Sequence, residues 1–120
     1  MDQCNQMMEE LQLTEYLGKY YHELSLGNKR KVNMIAAFIG FPKLILLDEP
    51  TNGIDSHGLI MLKRYIVKAK ENGSIIILSS HILDFVSNIS DVHYFLSNSK
   101  IEKTEGCKLE EEYERRYISV

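Results

Sequence analysis

Two carboxylates stand side by side where an aliphatic run ends: Leu44, Ile45, Leu46 and Leu47 are followed at once by Asp48 and Glu49. A second run, Ile75 to Leu78, ends in Ser79, Ser80 and His81. Like charges placed together repel, and a cation or a partner offsets that cost. Chemistry can use the two acids unequally, one holding Mg²⁺ directly or through its water, the other accepting a proton from an attacking water. A carboxylate at a strand end also serves as a helix cap or a plain loop residue, and Asp48 alone does not separate these readings.

The elements that would position these groups follow from periodicity. "KLILLDE" is too short for a helix and apolar on consecutive positions, as in a strand buried on both faces; "SIIILSS" reads the same way. Between them, "SHGLIMLKRYIVKAKENG" has helical spacing, with Asp55 or Ser56 to cap its start, basic residues in its later turns and Gly73 to end it. Upstream, "MMEELQLTEYLGKYY" has the spacing of one or two amphipathic helices. A second helical pattern places Val32, Ile35, Ala36 and Ile39 on one face and stops at Gly40 and Pro42. Downstream come a short helix in "HILDFVSNIS", a strand in "VHYFLS", a further strand in "KIEK" after a turn, and a charged helix in "KLEEEYERRY". Apolar strands joined by crossover helices imply an α/β fold, a mostly parallel sheet with helices on both sides, whose ligands sit at the carboxyl ends of the strands. Asp48, Glu49, Ser79, Ser80 and His81 would all reach that edge.

Composition agrees with a small folded domain. The 120 residues are 44% hydrophobic, and the formal charge of −3 offers no basic excess for nucleic-acid phosphates. No stretch approaches the roughly 20 apolar residues that cross a bilayer. "MDQCNQMMEE" lacks the basic and then apolar order of a secretory signal. Cys4 and Cys107 have no metal-like spacing and read as reduced cytoplasmic thiols. Lys29, Arg30 and Lys31 read as a solvated face.

The motifs carry a family resemblance. "LILLDE" resembles the Walker B segment of ATP-binding cassette (ABC) ATPases, "PTNGID" the loop that follows it, "SSH" the switch-histidine strand end, and "LSLGNKRKV" the signature sequence usually written LSGGQ. The four occur in the family's order, across residues 24 to 81. "KLEEEYERRY" is similar to the acidic helix that often ends such domains. By resemblance, Asp48 holds Mg²⁺ and Glu49 is the general base for the attacking water. His81 contacts the γ-phosphate, and Asp55 lies in the loop facing the opposite subunit. Ser25 and Gly27, at a helix start, clamp the γ-phosphate of ATP bound to a partner. Taken alone, Ser25 reads as an N-cap before it reads as a phosphate ligand.

Departures accompany the likeness. Leu26 replaces the first glycine of the signature and Asn28 its glutamine, while Gly27 is kept. No G-x-x-x-x-G-K-[ST] loop is present; the single Gly-Lys pair, Gly18-Lys19, is followed by Tyr20. The aromatic residue that stacks on adenine and the glutamine that links ATP to the membrane domain are also missing. The resemblance therefore implies a partial P-loop NTPase fold of three layers that lacks the phosphate-loop strand. That strand would lie between "IIILSS" and "VHYFLS", so these two either meet abnormally or leave an exposed edge. The implied division is 1–42, part of the helical subdomain; 43–106, the C-terminal half of the ATPase core; and 107–120, a terminal helix.

For function, the resemblance implies the C-terminal part of an ABC transporter ATP-binding subunit that uses ATP and Mg²⁺ to power transport. "SLGNKRK" is closest to bacterial exporters. The implied partners are a second ABC ATPase subunit head to tail and a transmembrane permease, the residues working either within a complete domain or beside a separately encoded N-terminal half carrying Walker A; nucleic acid is not among them. The implied location is cytoplasmic, peripheral at the inner face of the cell membrane. Alone, the chain is expected to bind Mg-ATP poorly and not to turn it over. The alternative is a non-catalytic remnant or interaction module that keeps the fold without the activity.

Overall fold

Asp2 opens the first helix: its Oδ1 accepts from the Asn5 amide at 2.8 Å, satisfying one of the unpaired N–H groups of α1 (Gln3–Glu10). The structure is a computed structural model that describes residues 2–104 and 109–118. It separates into two compact units, Met1–Ser79 and Ser80–Val120.

In the first unit, two single 3₁₀ turns, Thr14–Tyr16 and Tyr21–Glu23, lead to α2 (Leu26–Phe38). Strand β1 (Leu44–Asp48), helix α3 (Ser56–Glu71) and strand β2 (Ile75–Ser79) then form a βαβ unit. β1 and β2 pair in parallel, from Leu44 opposite Ile75 to Asp48 opposite Ser79. Two bonds fix the start of this register: Ile75 N–H donates to Lys43 O at 2.8 Å, and Ser74 Oγ donates to Pro42 O at 2.7 Å. Along α3, Met61, Leu62, Tyr65, Ile66 and Ala69 fall on one buried stripe. They share the core with Met7, Leu11 and Leu13 and with Met34, Ile35 and Phe38 of α2. Phe38 and Tyr65 meet with ring centroids 5.8 Å apart.

Two sequence expectations change here. The buried face of α2 is Lys31, Met34, Ile35 and Phe38. Ala36 is exposed, and Ile39 lies beyond the last helical turn as an exposed C-cap. The strands, expected to be covered on both faces, are covered on one. Ile45 is 3% exposed, whereas Leu46 is 67% and its cross-strand neighbour Ile77 is 59% exposed, with Leu44 and Ile75 alike. Among the described residues β2 has one strand neighbour, β1.

In the second unit, α4 (Leu83–Ile89) precedes an antiparallel hairpin of β3 (Tyr94–Ser97) and β4 (Lys100–Lys103). Its two turn residues, Asn98 and Ser99, both have positive φ, the backbone of a twist-matched two-residue hairpin turn. α5 (Leu109–Tyr113) continues into a π turn, Glu114–Ile118. Phe95, Tyr113 and Tyr117 cluster with centroids 4.7 to 6.4 Å apart. The Arg116 guanidinium lies 5.2 Å from the Phe95 ring centroid and pairs with Glu102 and Glu112. Of the expected terminal helix, 107–120, Cys107, Lys108, Ser119 and Val120 lie outside the described residues.

Candidate functional site

The parallel register sets Ser79 beside Asp48, and this pairing organises the strand ends. Ser79 Oγ donates to Asp48 Oδ1 at 2.5 Å and accepts from the Glu49 amide at 3.0 Å. The same amide donates to Ser79 O at 3.0 Å. Glu49 is thereby held at φ +46, a left-handed conformation uncommon for a residue other than glycine. Backbone of this kind persists where its surroundings over-determine it, and it gathers at functional sites. Asp48 is exposed and Glu49 half-buried.

After Glu49 the chain turns sharply toward α3. Asn52 N–H donates to Glu49 O at 3.1 Å, and Gly53 takes φ +75, which suits its lack of a Cβ. Asp55 then caps α3, its Oδ1 accepting from Gly58 N–H at 2.7 Å. That bond is the main cause holding the Asp55 carboxyl below its ordinary range; burial opposes it, and the Lys31 ammonium and, more weakly, His57 add to the lowering.

The signature turn meets this loop within the same unit. Ser25 is the N-cap of α2, its Oγ accepting from Asn28 N–H at 3.2 Å. A Cβ on Gly27 would lie 3.3 Å from Gly53 O, so a side chain there would press on the facing turn. Lys31, expected on a solvated face, is 6% exposed, and its Nζ lies 3.4 Å from Asp55 Oδ2. The basic run concealed it. Lys31 has the composition of a surface residue, and its partner is 24 positions away.

Asp48, Glu49 and Ser79 are thus together; elsewhere in the same unit Gly27 meets the loop at Gly53, and Lys31 of the helix that Ser25 caps pairs with Asp55. His81 belongs to the other unit, where it is exposed at the start of the segment leading into α4; the preceding Ser80 Oγ accepts from Ile82 N–H at 3.1 Å. Among the described residues no three His, Cys, Asp or Glu side chains gather as a metal cluster. A single strand-end carboxylate fits Mg²⁺, which keeps several waters and takes one or two carboxylates together with phosphate oxygens. No described helix is long and apolar enough to cross a membrane.

An α/β unit with paired acids at the carboxyl end of a parallel strand, and a capped helix packed against the following loop, is the architecture of the ATP-binding domains of ABC transporters. The chain belongs to this family. The ABC transporter family model matches residues 1–52. An uncharacterised ABC transporter ATP-binding protein of Alkalihalophilus pseudofirmus is 38% identical over 82 residues, covering 68% of this chain and 31% of the relative. The lantibiotic transport ATP-binding protein SrtF of Streptococcus pyogenes is 40% identical over 79 residues, covering 66% of this chain and 34% of the relative. A solved ATP-binding subunit of an ABC transporter superposes with a TM-score of 0.81 at 28% identity, over 95% of this chain and 48% of that one. The chain spans about a third of the length of these curated relatives.

Proposed function

We propose that this chain supplies the signature, Walker B and switch-histidine residues to an ATP-hydrolysing site that powers transport, a site completed by a phosphate-binding loop that these 120 residues do not contain. The observation that carries this reading is the Ser79 bridge, which holds Asp48 and Glu49 at one strand end with Glu49 in a left-handed backbone. Mg²⁺, held through Asp48, would supply charge neutralisation at the phosphates. Glu49 would orient the attacking water and accept its proton, and His81 would donate toward the γ-phosphate. Ser25 and Gly27, at the N-terminus of α2, would present hydroxyl and amide donors to ATP held by an opposing subunit, with Asp55 facing the same junction. The functional division proposed is 1–42 for the helical subdomain, 43–106 for the core and 107–120 for the terminal helix.

The proposed partners are a second such subunit arranged head to tail and a transmembrane permease. The chain would work in the cytoplasm at the inner face of the membrane. Export is the proposed direction, supported by the form "SLGNKRK".

The test mixes the chain with a polypeptide bearing a Gly-rich phosphate loop and measures ATP hydrolysis. Glu49→Gln should lower the rate by about 10² to 10⁴, the usual worth of a general base. A rate indifferent to Glu49→Gln removes Glu49 from that role. A complex that forms yet hydrolyses nothing favours the non-catalytic interaction module, a reading the open apolar face of β1 and β2 also suits.

A further inference from the structure

The side chain of Lys31 is only 8% exposed, an unusual place for an ammonium unless a partner compensates its lost hydration. That partner, Asp55, stands on the loop between β1 and α3. One oxygen of its carboxylate holds the first turn of α3 through Gly58, and the other faces the Lys31 ammonium. Lys31 is one helical turn past Gly27 on α2, so both lie on the face of that helix turned toward residues 53–55. The fit is close along the whole seam. Gly27 approaches Gly53 O, and the Leu26 side chain comes to 3.4 Å from where a Cβ on Gly53 would be. A Cβ on Gly58 would lie 3.2 Å from Asp55 Oδ1 and 3.7 Å from Lys31 Cε.

We propose that Lys31 is a positioning residue that clamps Asp55, so that the signature turn Ser25–Gly27 and the loop carrying Glu49 to Asp55 shift as one body. A displacement imposed at either turn is then passed to the other through the buried ammonium. The coupling gives the chain an internal link between the residues proposed to meet a partner's phosphate and the residues proposed to hydrolyse. The link itself does not depend on those roles, and its test needs no nucleotide.

The experiment is a pH titration of the isotope-labelled chain by NMR, following the Asp55 carboxyl and the Gly27 and Gly53 amides. Three groups act on that carboxyl: Lys31 from α2, and His57 and the Gly58 amide from α3. In the wild type the Gly27 amide is expected to titrate with the Asp55 midpoint. In Lys31→Met that response is lost while Gly53 still follows Asp55, and Lys31→Arg restores it. A Gly27 amide that follows Asp55 equally well in Lys31→Met, or that ignores Asp55 in the wild type, overturns the proposal. Should Lys31→Met fail to fold, Asp55→Asn keeps an N-capping side chain but removes the charge. It should displace the Gly27 amide resonance at neutral pH, and an unmoved resonance overturns the clamp.

Discussion

Ser79 Oγ bridges the two acids, donating to Asp48 Oδ1 at 2.5 Å while accepting from the Glu49 amide at 3.0 Å. The amide keeps a second acceptor in Ser79 O, so removing the hydroxyl leaves no orphaned donor there. Ser79→Ala should therefore cost only about 1 kcal/mol, the net value of an ordinary hydrogen bond. Urea unfolding monitored by circular dichroism measures it. A loss beyond about 3 kcal/mol would mean the hydroxyl supports more than the strand end.

Glu49 occupies left-handed backbone at φ +46. Asparagine visits that region several-fold more often than most residues, so Glu49→Asn should raise stability by roughly 0.5 to 1 kcal/mol while deleting the carboxylate proposed as base. A urea midpoint that does not rise argues against strain at this residue.

Asp55 has a folded pKa below its unfolded value of 3.8. Its contribution to stability is therefore present above pH 3.8 and is lost as pH falls through the lower, folded value. Asp55→Ala should cost about 1 kcal/mol at neutral pH, chiefly through the lost cap of α3. Asp55→Asn, which can still cap, should cost less. The gap between Asn variant and wild type should close in acid, and a gap that persists there contradicts the assignment. Thermal unfolding at a series of pH values reads both.

The two faces of the parallel pair should respond oppositely to substitution. Ile45 is buried against the helices, and Ile45→Ala should cost about 2 to 4 kcal/mol. Leu46→Lys and Ile77→Lys fall on the exposed face and should alter stability by less than about 0.5 kcal/mol. They should also reduce self-association of the isolated chain, followed by sedimentation velocity. Unchanged sedimentation would show that this face is not the adhesive surface.

Much of the site was legible because its signals are local. Aliphatic runs ending in Asp48 and in Ser79 mark strand ends, and Asp55 before a periodic stretch marks a cap. What escaped is long-range. Lys31 reads as solvent-facing until a carboxylate 24 residues on is brought beneath it by the turn at Gly53. The α2 face was misjudged at Ile39 because the helix closes at Phe38, one residue short of the apolar pattern. The strands' exposed face was illegible for a different reason. A run without polar alternation records that both sides are apolar, not which side this chain covers.

The parallel register also dictates an order of folding. Leu44 meets Ile75, 31 positions on, with α3 between them, so the pairing closes a long loop whose entropy is lost before any ladder bond returns it. α3, with its own cap at Asp55 and a continuous apolar stripe, can form from local contacts alone. We therefore expect substitutions in α3 to slow refolding and substitutions at Ile75 to speed unfolding, a contrast stopped-flow kinetics would read. During synthesis Leu44 to Leu47 would wait, unpaired, until Ser79 had left the ribosome, a long exposure for so adhesive a strand.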